Sequence, residues 1–272
     1  MTKYKIIRVS QYLALFIVLA VYVVPNLVLA APTASVSPTG NPYIDGILAG
    51  VKWGTTSLTY SFPATADLYG SNYANGEQLN NFKAFTTIQQ DVARLINTKF
   101  SETTETLTTH GVLRYAESDS PSTAFGYYPS TSEVGGDSWY NNIKHYYDTP
   151  VRGNYAYLTM MHETGHNMGL KHAHEASGSF AAMPVDRDSL EYTVMSYKSY
   201  IGGSATSGYT NGSGSYPQTR MMYDIAALQT MYGADFTDNA GDTVYSWSPS
   251  TGQTFINGVA EWIPAANKIF MT

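Results

Sequence analysis

The chain has 272 residues, 13% of them charged, and a formal net charge of −6. At roughly 100–200 residues per domain this is one large domain or little more, and the acidic balance excludes a general nucleic-acid binder. The absence of cysteine removes disulfide frameworks, cysteine-ligated zinc, iron–sulfur clusters and thiol catalysis, leaving histidine, carboxylates, tyrosine and carbonyls to build any metal site.

Lys3, Lys5 and Arg8 precede an uncharged apolar run from Tyr12 to Ala30, which is interrupted by Pro25 and ends on Val28-Leu29-Ala30. This is the grammar of a secretory signal cut after Ala30, so residues 1–30 are expected to direct export. The run is also long enough to span a bilayer, and a membrane anchor retained over residues 12–30 is the rival reading. Residues 31–42 read as a flexible leader. Leu58, Tyr60 and Phe62 alternate with Thr59 and Ser61, which predicts a half-buried strand ended by Pro63. After a loop over 64–76, Phe82, Phe85, Ile88, Val92 and Leu95 recur every three or four positions and predict a long helix over 78–99. Strands are expected at 112–116 and 124–128, then a turn at Gly135-Gly136 and a short strand around Trp139. A second helix is expected over 154–170, followed by an irregular stretch over 176–216 whose length marks a functional loop. Met221, Ile225, Leu228 and Tyr232 define a third helix stopped by Gly233. Residues 236–272 carry turn signals and β-prone runs and end on Ile269-Phe270-Met271-Thr272. Strands and helices do not alternate strictly, so the expected class is α/β (α+β) with a mixed twisted sheet and long helices, not a doubly wound parallel sheet.

Residues 162–172 read His-Glu-Thr-Gly-His-Asn-Met-Gly-Leu-Lys-His. On a helix His162 and His166 project from one face, where two imidazoles can bind one zinc ion, and Glu163 stands beside the first of them. A helix continued past Gly169 would swing His172 away. Glycine can end the helix in a left-handed conformation and turn the chain back, so that His172 supplies a third ligand. Three neutral imidazoles leave positions open for water and substrate, the pattern of a catalytic zinc site. The competing readings are a helix with satisfied surface histidines, or a zinc site in which Glu163 is idle. His174, followed by Glu175, is open to a supporting or a surface role. His110 and His145 read as structural or solvated. Asp137 reads as a turn carboxylate, with calcium binding as the alternative.

The extended motif resembles that of the metzincin zinc endopeptidases, which is completed by a downstream methionine turn. Thr193-Val194-Met195-Ser196-Tyr197 is similar to that turn as it occurs in the serralysin branch. The resemblance implies that Met195 forms an apolar floor under the zinc, and that Tyr197 ligates the resting metal and then swings to hydrogen-bond the oxyanion. It further implies a cleft between two subdomains and a sheet-edge strand that holds the peptide extended, for which Ala124, Phe125, Gly126, Tyr127 and Tyr128 are the candidates. Asp224 to Gln229 and Tyr232 to Asp235 resemble the last helix of that catalytic domain and its exit, and Gly241 to Tyr245 the entry to the next domain. Ala173 stands where the family usually has proline, and the calcium-binding Gly-Gly-x-Gly-x-Asp repeats of the family's β-roll do not occur.

The implied organisation is a signal at 1–30, a leader or short propeptide at 31–45, a zinc protease domain at 46–235 and the truncated start of a β domain at 236–272. The implied function is a secreted, monomeric zinc endopeptidase acting on proteins or peptides through a zinc-activated water, with Glu163 as general base. Zinc is the expected cofactor and calcium a second one, with no nucleic-acid partner and membrane contact only during export or through a retained anchor. The alternative function is a catalytically impaired module that binds peptides or calcium. Without cysteine, any latency would come from residues 31–45.

Overall fold

A computed structural model describes residues 31–70, 73, 75–237 and 240–261; the expected export signal and the terminal run Ile269 to Thr272 lie outside the described residues. Two short strands, β1 (Thr33–Ser35) and β2 (Val51–Trp53), pair antiparallel and flank helix α1 (Pro42–Asp45). The main sheet contains β3 (Thr59–Ser61), β4 (Lys83–Ala84), β5 (Ser101–Glu102), β6 (Leu113–Ser118), β7 (Ala124–Gly126) and β8 (Asp137–Asn141), with α2 (Thr87–Ile96) between β4 and β5. Helices α3 (Tyr155–Asn167) and α4 (Met222–Tyr232) follow, and β9 (Tyr245–Trp247), β10 (Thr254–Ile256) and β11 (Val259–Ala260) form a separate antiparallel sheet.

The main sheet runs β5-β3-β6-β8-β7, with β4 paired to β6 beyond the end of β3. β3, β5, β6 and β8 are mutually parallel, while β4 and β7 run against their partners. The mixed sheet expected from the sequence is therefore present. Every residue of β6 and β8 is buried, as strands covered on both faces must be. Their register sets Arg114 opposite Asp137, and the guanidinium grips the carboxylate at 2.9 and 2.7 Å. Tyr73 donates to the same carboxylate at 2.7 Å. With both oxygens so engaged, Asp137 is a structural ion-pair partner rather than a calcium ligand.

Helix α3 runs through the middle of the core, buried from Ala156 to Asn167. Ala156, Met160 and Met168 join the sheet-side cluster with Trp53, Phe85, Leu113 and Tyr140. Tyr157, Leu158 and Met161 join a second cluster with Leu48, Leu190, Met195 and Met231. The exposed carbonyls at its C-terminal end are met by Trp53 Nε1, which donates to Asn167 O at 2.8 Å, and by Tyr232 OH, which donates to Met168 O at 2.8 Å.

Two expectations need correction. The helix predicted over 78–99 is confined to Thr87–Ile96. Thr86 and Gln89 form a reciprocal capping box that starts it late, and Asn97 ends it by donating to Ala93 O at 2.9 Å. Phe82 and Phe85 belong to the segment before the helix, so the period that seemed to run through them is accidental; Ile88 and Leu95 are exposed. The leader predicted as flexible over 31–42 is built into the body. Asn41 caps α1 by accepting from Tyr43 N at 3.0 Å, and Tyr43 stacks on Tyr223 at 5.3 Å. Ile47 and Leu48 are fully buried, and residues 47–49 pair with 169–171 through Ala49 N to Gly169 O at 2.9 Å and Lys171 N to Ile47 O at 2.7 Å. The irregular stretch after α3 is as expected, with no helix or named strand between Asn167 and Met222 among the described residues.

A chain starting at residue 46 is expected to be less stable than one starting at residue 31 by about 3 kcal/mol or more, the scale of uncovering two or three apolar side chains. Thermal unfolding of the two forms checks this, and equal midpoints would show that the leader contributes nothing.

Candidate metal centre

Asn154 starts α3 by accepting from Tyr157 N at 2.9 Å. Two turns later His162 and His166 stand one above the other with ring centroids 4.7 Å apart. Gly169, at φ +97°, then reverses the chain. A Cβ at that position would lie 2.2 Å from Val51 O, so both the left-handed backbone and the close approach of β2 require glycine. The reversal brings His172 Nε2 to 3.0 Å from His166 Nε2, which is itself 3.1 Å from His162 Nε2.

The other ring nitrogens face acceptors. His162 Nδ1 is 2.7 Å from Val194 O, His166 Nδ1 is 2.7 Å from Leu170 O, and His172 Nδ1 is 3.0 Å from Glu175 Oε1. A carbonyl only accepts, so His162 and His166 carry their protons on Nδ1 and turn bare Nε2 lone pairs toward one another. Burial pushes His162 down to about 3, helped by His172, and lowers His166 and His172 as well. Three neutral imidazoles with converging lone pairs repel unless a cation lies between them, and that donor set fits a divalent metal.

Glu163 is buried beside this cluster, where burial pushes its carboxyl up to about 8 against the opposing hydrogen bond from Gly126 N–H. Its Oε2 has no hydrogen-bond partner among the described residues. A Cβ on Gly126 would lie 2.5 Å from Glu163 O, so β7 presses against α3 as closely as backbone allows. Asn167 locks the contact by donating from Nδ2 to Tyr127 O at 3.1 Å and to Asp137 O at 3.2 Å, and by accepting from Ser138 Oγ at 2.6 Å.

Below the imidazoles, Met195 is fully buried. A Cβ on Gly165 would lie 2.6 Å from Met195 Sδ, so the sulfur fits under the helix only because residue 165 has no side chain. Asp224 holds this turn in place, accepting from Val194 N at 2.9 Å, Thr193 Oγ1 at 2.5 Å and Met221 N at 2.8 Å. Tyr197 places its hydroxyl 2.9 Å from His172 Nε2, and burial raises its pKa. Lys171, also buried, directs its ammonium to the carbonyls of Gly46, Glu175 (2.6 Å) and Ala181 (3.1 Å).

All five motif residues, together with Met195 and Tyr197, thus meet at one place. The five strand candidates divide. Phe125 and Tyr127 turn their rings into the cluster around Trp139, leaving main chain for any ligand. Ala124 lines a cavity of about 500 Å³ that opens beside Glu163 and His162 and is walled by Leu158, Tyr155, Tyr209 and Tyr216. Tyr128 sets its ring edge-on to His166 at 5.4 Å. Sequence reasoning missed Gly165, Asn167 and Asp224. The last carried a readable signal, as a carboxylate in the first turn of a helix.

The profile of metallo-peptidase family M12 matches residues 29–227. The chain belongs to this family. It is 29% identical over 225 residues to metallopeptidase AprA of Pseudomonas marginalis, covering 76% of this chain and 46% of that protein. It is 28% identical over 228 residues to serralysin G of Dickeya chrysanthemi (74% and 44%), and 30% identical over 249 residues to a serralysin of Photorhabdus sp. strain Az29 (82% and 50%). The chain spans about half the length of these curated relatives. The serralysin-like character and the mixed α/β fold expected from the sequence are both upheld.

With the imidazoles already neutral at pH 7 and Glu163 protonated, Zn2+ binding to the metal-free protein should release about one proton per ion, because a nearby dication stabilises the carboxylate. Calorimetry in buffers of different ionisation enthalpy reads this directly. Glu163→Gln should release clearly less, leaving only the fraction lost by metal-bound water, and an equal release from that variant would place the proton elsewhere.

Proposed function

We propose that this chain is a zinc-dependent endopeptidase, with His162, His166 and His172 as the metal ligands, Glu163 as general base and Tyr197 as the oxyanion donor. The observation that carries the reading is the meeting of three Nε2 atoms within 3.1 Å of their nearest neighbours beside a buried carboxyl with one oxygen free. Zinc bound there supplies a Lewis acid for water activation and carbonyl polarisation.

The protein's own groups then account for the proton traffic. Glu163 takes a proton from the attacking water as the water oxygen adds to the scissile carbonyl carbon. It returns that proton to the amine nitrogen as the C–N bond breaks. The Gly126 N–H keeps the carboxylate aimed during both transfers. Tyr197 turns its hydroxyl from His172 to the carbonyl oxygen and donates to it as negative charge develops. The outer edge of β7 pairs with none of the named strands, so an extended peptide can add to it through main-chain hydrogen bonds. The cavity beside Glu163 takes an uncharged side chain of the peptide, since its other walls are apolar groups, threonines and tyrosines with no further ionised group. The peptidase unit ends near residue 235 at the exit of α4, β9 to β11 open a further β unit, and the apolar run before residue 31 directs export.

Glu163→Gln is expected to lower kcat by about 10³-fold or more while zinc stays bound at one ion per chain, since amide and carboxylate have the same shape but only one is a base. Casein cleavage and metal content measured on one preparation test this; loss of the ion would reassign Glu163 to metal binding. Tyr197→Phe should lower kcat about 10²-fold with little change in KM. An unchanged kcat would remove the tyrosine from the reaction.

A further inference from the structure

An oxyanion donor on a mobile side chain needs a fixed point to turn about. A catalytic donor misplaced by about 1 Å can cost about 10²-fold in rate. The residues on either side of Tyr197 are held by one carboxylate. Ser196 Oγ donates to Asp188 Oδ1 at 2.6 Å, and Lys198 Nζ lies 2.6 Å from Asp188 Oδ2. Asp188 is buried, with 1% of its surface exposed. Lys198 N donates to Ser196 Oγ at 3.1 Å, so the two flanking residues are also tied to each other across the tyrosine. Tyr209 OH donates to Ser196 O at 2.9 Å, and Leu190 N donates to Lys198 O at 2.8 Å. Neither partner of the Asp188 carboxylate is a histidine of the metal centre.

We propose that Asp188 is a positioning residue for peptide hydrolysis, fixing the pivot about which Tyr197 turns. The inference rests on the reading of Tyr197 as the oxyanion donor. The Tyr197 side chain lines the cavity of about 500 Å³ beside Glu163, so it has space to turn into, and its main chain decides where the hydroxyl stops. A buried ion pair adds little net stability over apolar packing, and what this one contributes is a single geometry. Charge-assisted bonds to a hydroxyl and an ammonium hold that geometry more firmly than neutral ones would. With the pivot loosened, the hydroxyl no longer meets the developing oxyanion squarely. The bound substrate does not use that bond, so the loss falls on the transition state alone.

The test places Asp188→Asn in the full chain with Tyr197 present and, separately, in the Tyr197→Phe background. Asparagine keeps the shape and can accept from Ser196, but it cannot pair with the Lys198 ammonium. With Tyr197 present, kcat should fall about tenfold or more and KM should stay within about twofold. In the Tyr197→Phe background the same substitution should move kcat by less than about twofold, because the donor it positions is gone. Two readings do not depend on turnover. Zinc content after dialysis should match the wild type, and a peptide carrying a phosphinate in place of the scissile bond should bind about tenfold more weakly or worse. Ser196→Ala leaves the Asp188–Lys198 pair in place, should show the same pattern, and decides the matter if Asp188→Asn does not fold. An unchanged kcat, an equal fall in both backgrounds, or loss of zinc from the variants overturns the pivot and leaves the role of Tyr197 intact. A Tyr197→Phe enzyme as fast as the wild type overturns the reading of Tyr197, and the pivot with it.

Discussion

The burial of α3 on all sides is the constraint from which the rest of the structure follows. A helix in that position must find a partner for every polar head it carries inward, because an unpaired donor or acceptor there costs about 1–3 kcal/mol and an unpaired charge more. His162 finds Val194 O, His166 finds Leu170 O, and Glu163 finds Gly126 N–H. Those partners belong to the methionine turn, to the reversal after Gly169 and to the sheet edge. One helix therefore fixes the relative positions of the third histidine, the tyrosine and the strand that would align a substrate.

Support extends outward through peptide groups. Asp224 accepts from Val194 N, and the carbonyl of the same residue accepts from His162. A carboxylate at the start of α4 thereby fixes the position of the residue whose carbonyl orients a candidate metal ligand. The sheet side does the same through Asn167, whose amide joins the end of α3 to two carbonyls of neighbouring strands. Three of the groups that hold the centre are main-chain carbonyls or amides, which no substitution of their own side chains would remove.

That division explains what could be read in the sequence. The five motif residues and Met195 and Tyr197 were legible because their chemistry depends on side-chain type at fixed spacing, and spacing is a property of the linear chain. The strand at 59–61, the strand around Trp139 and the helix stopped by Gly233 were legible from local patterning in the same way. The late start of α2 was not, because a capping box at Thr86 overrode an apolar period that happened to continue upstream. The leader looked loose because its composition is that of a loop. Its order comes from the pairing of β1 with β2 and from Tyr43 stacking on Tyr223, far along the chain, which no local window contains. Gly165 and Gly126 were invisible for a related reason: a missing side chain signals only when the atom that takes its place is known.

Lys171 gives the loop beyond the third histidine an anchor of a different kind from the centre next to it. Its ammonium gathers three main-chain carbonyls from residues 46, 175 and 181, a task that many extracellular proteins give to a bound calcium ion. A covalently tethered cation is not lost to a chelator. The tie of this loop to the body shares no atom with the histidine cluster and does not run through it.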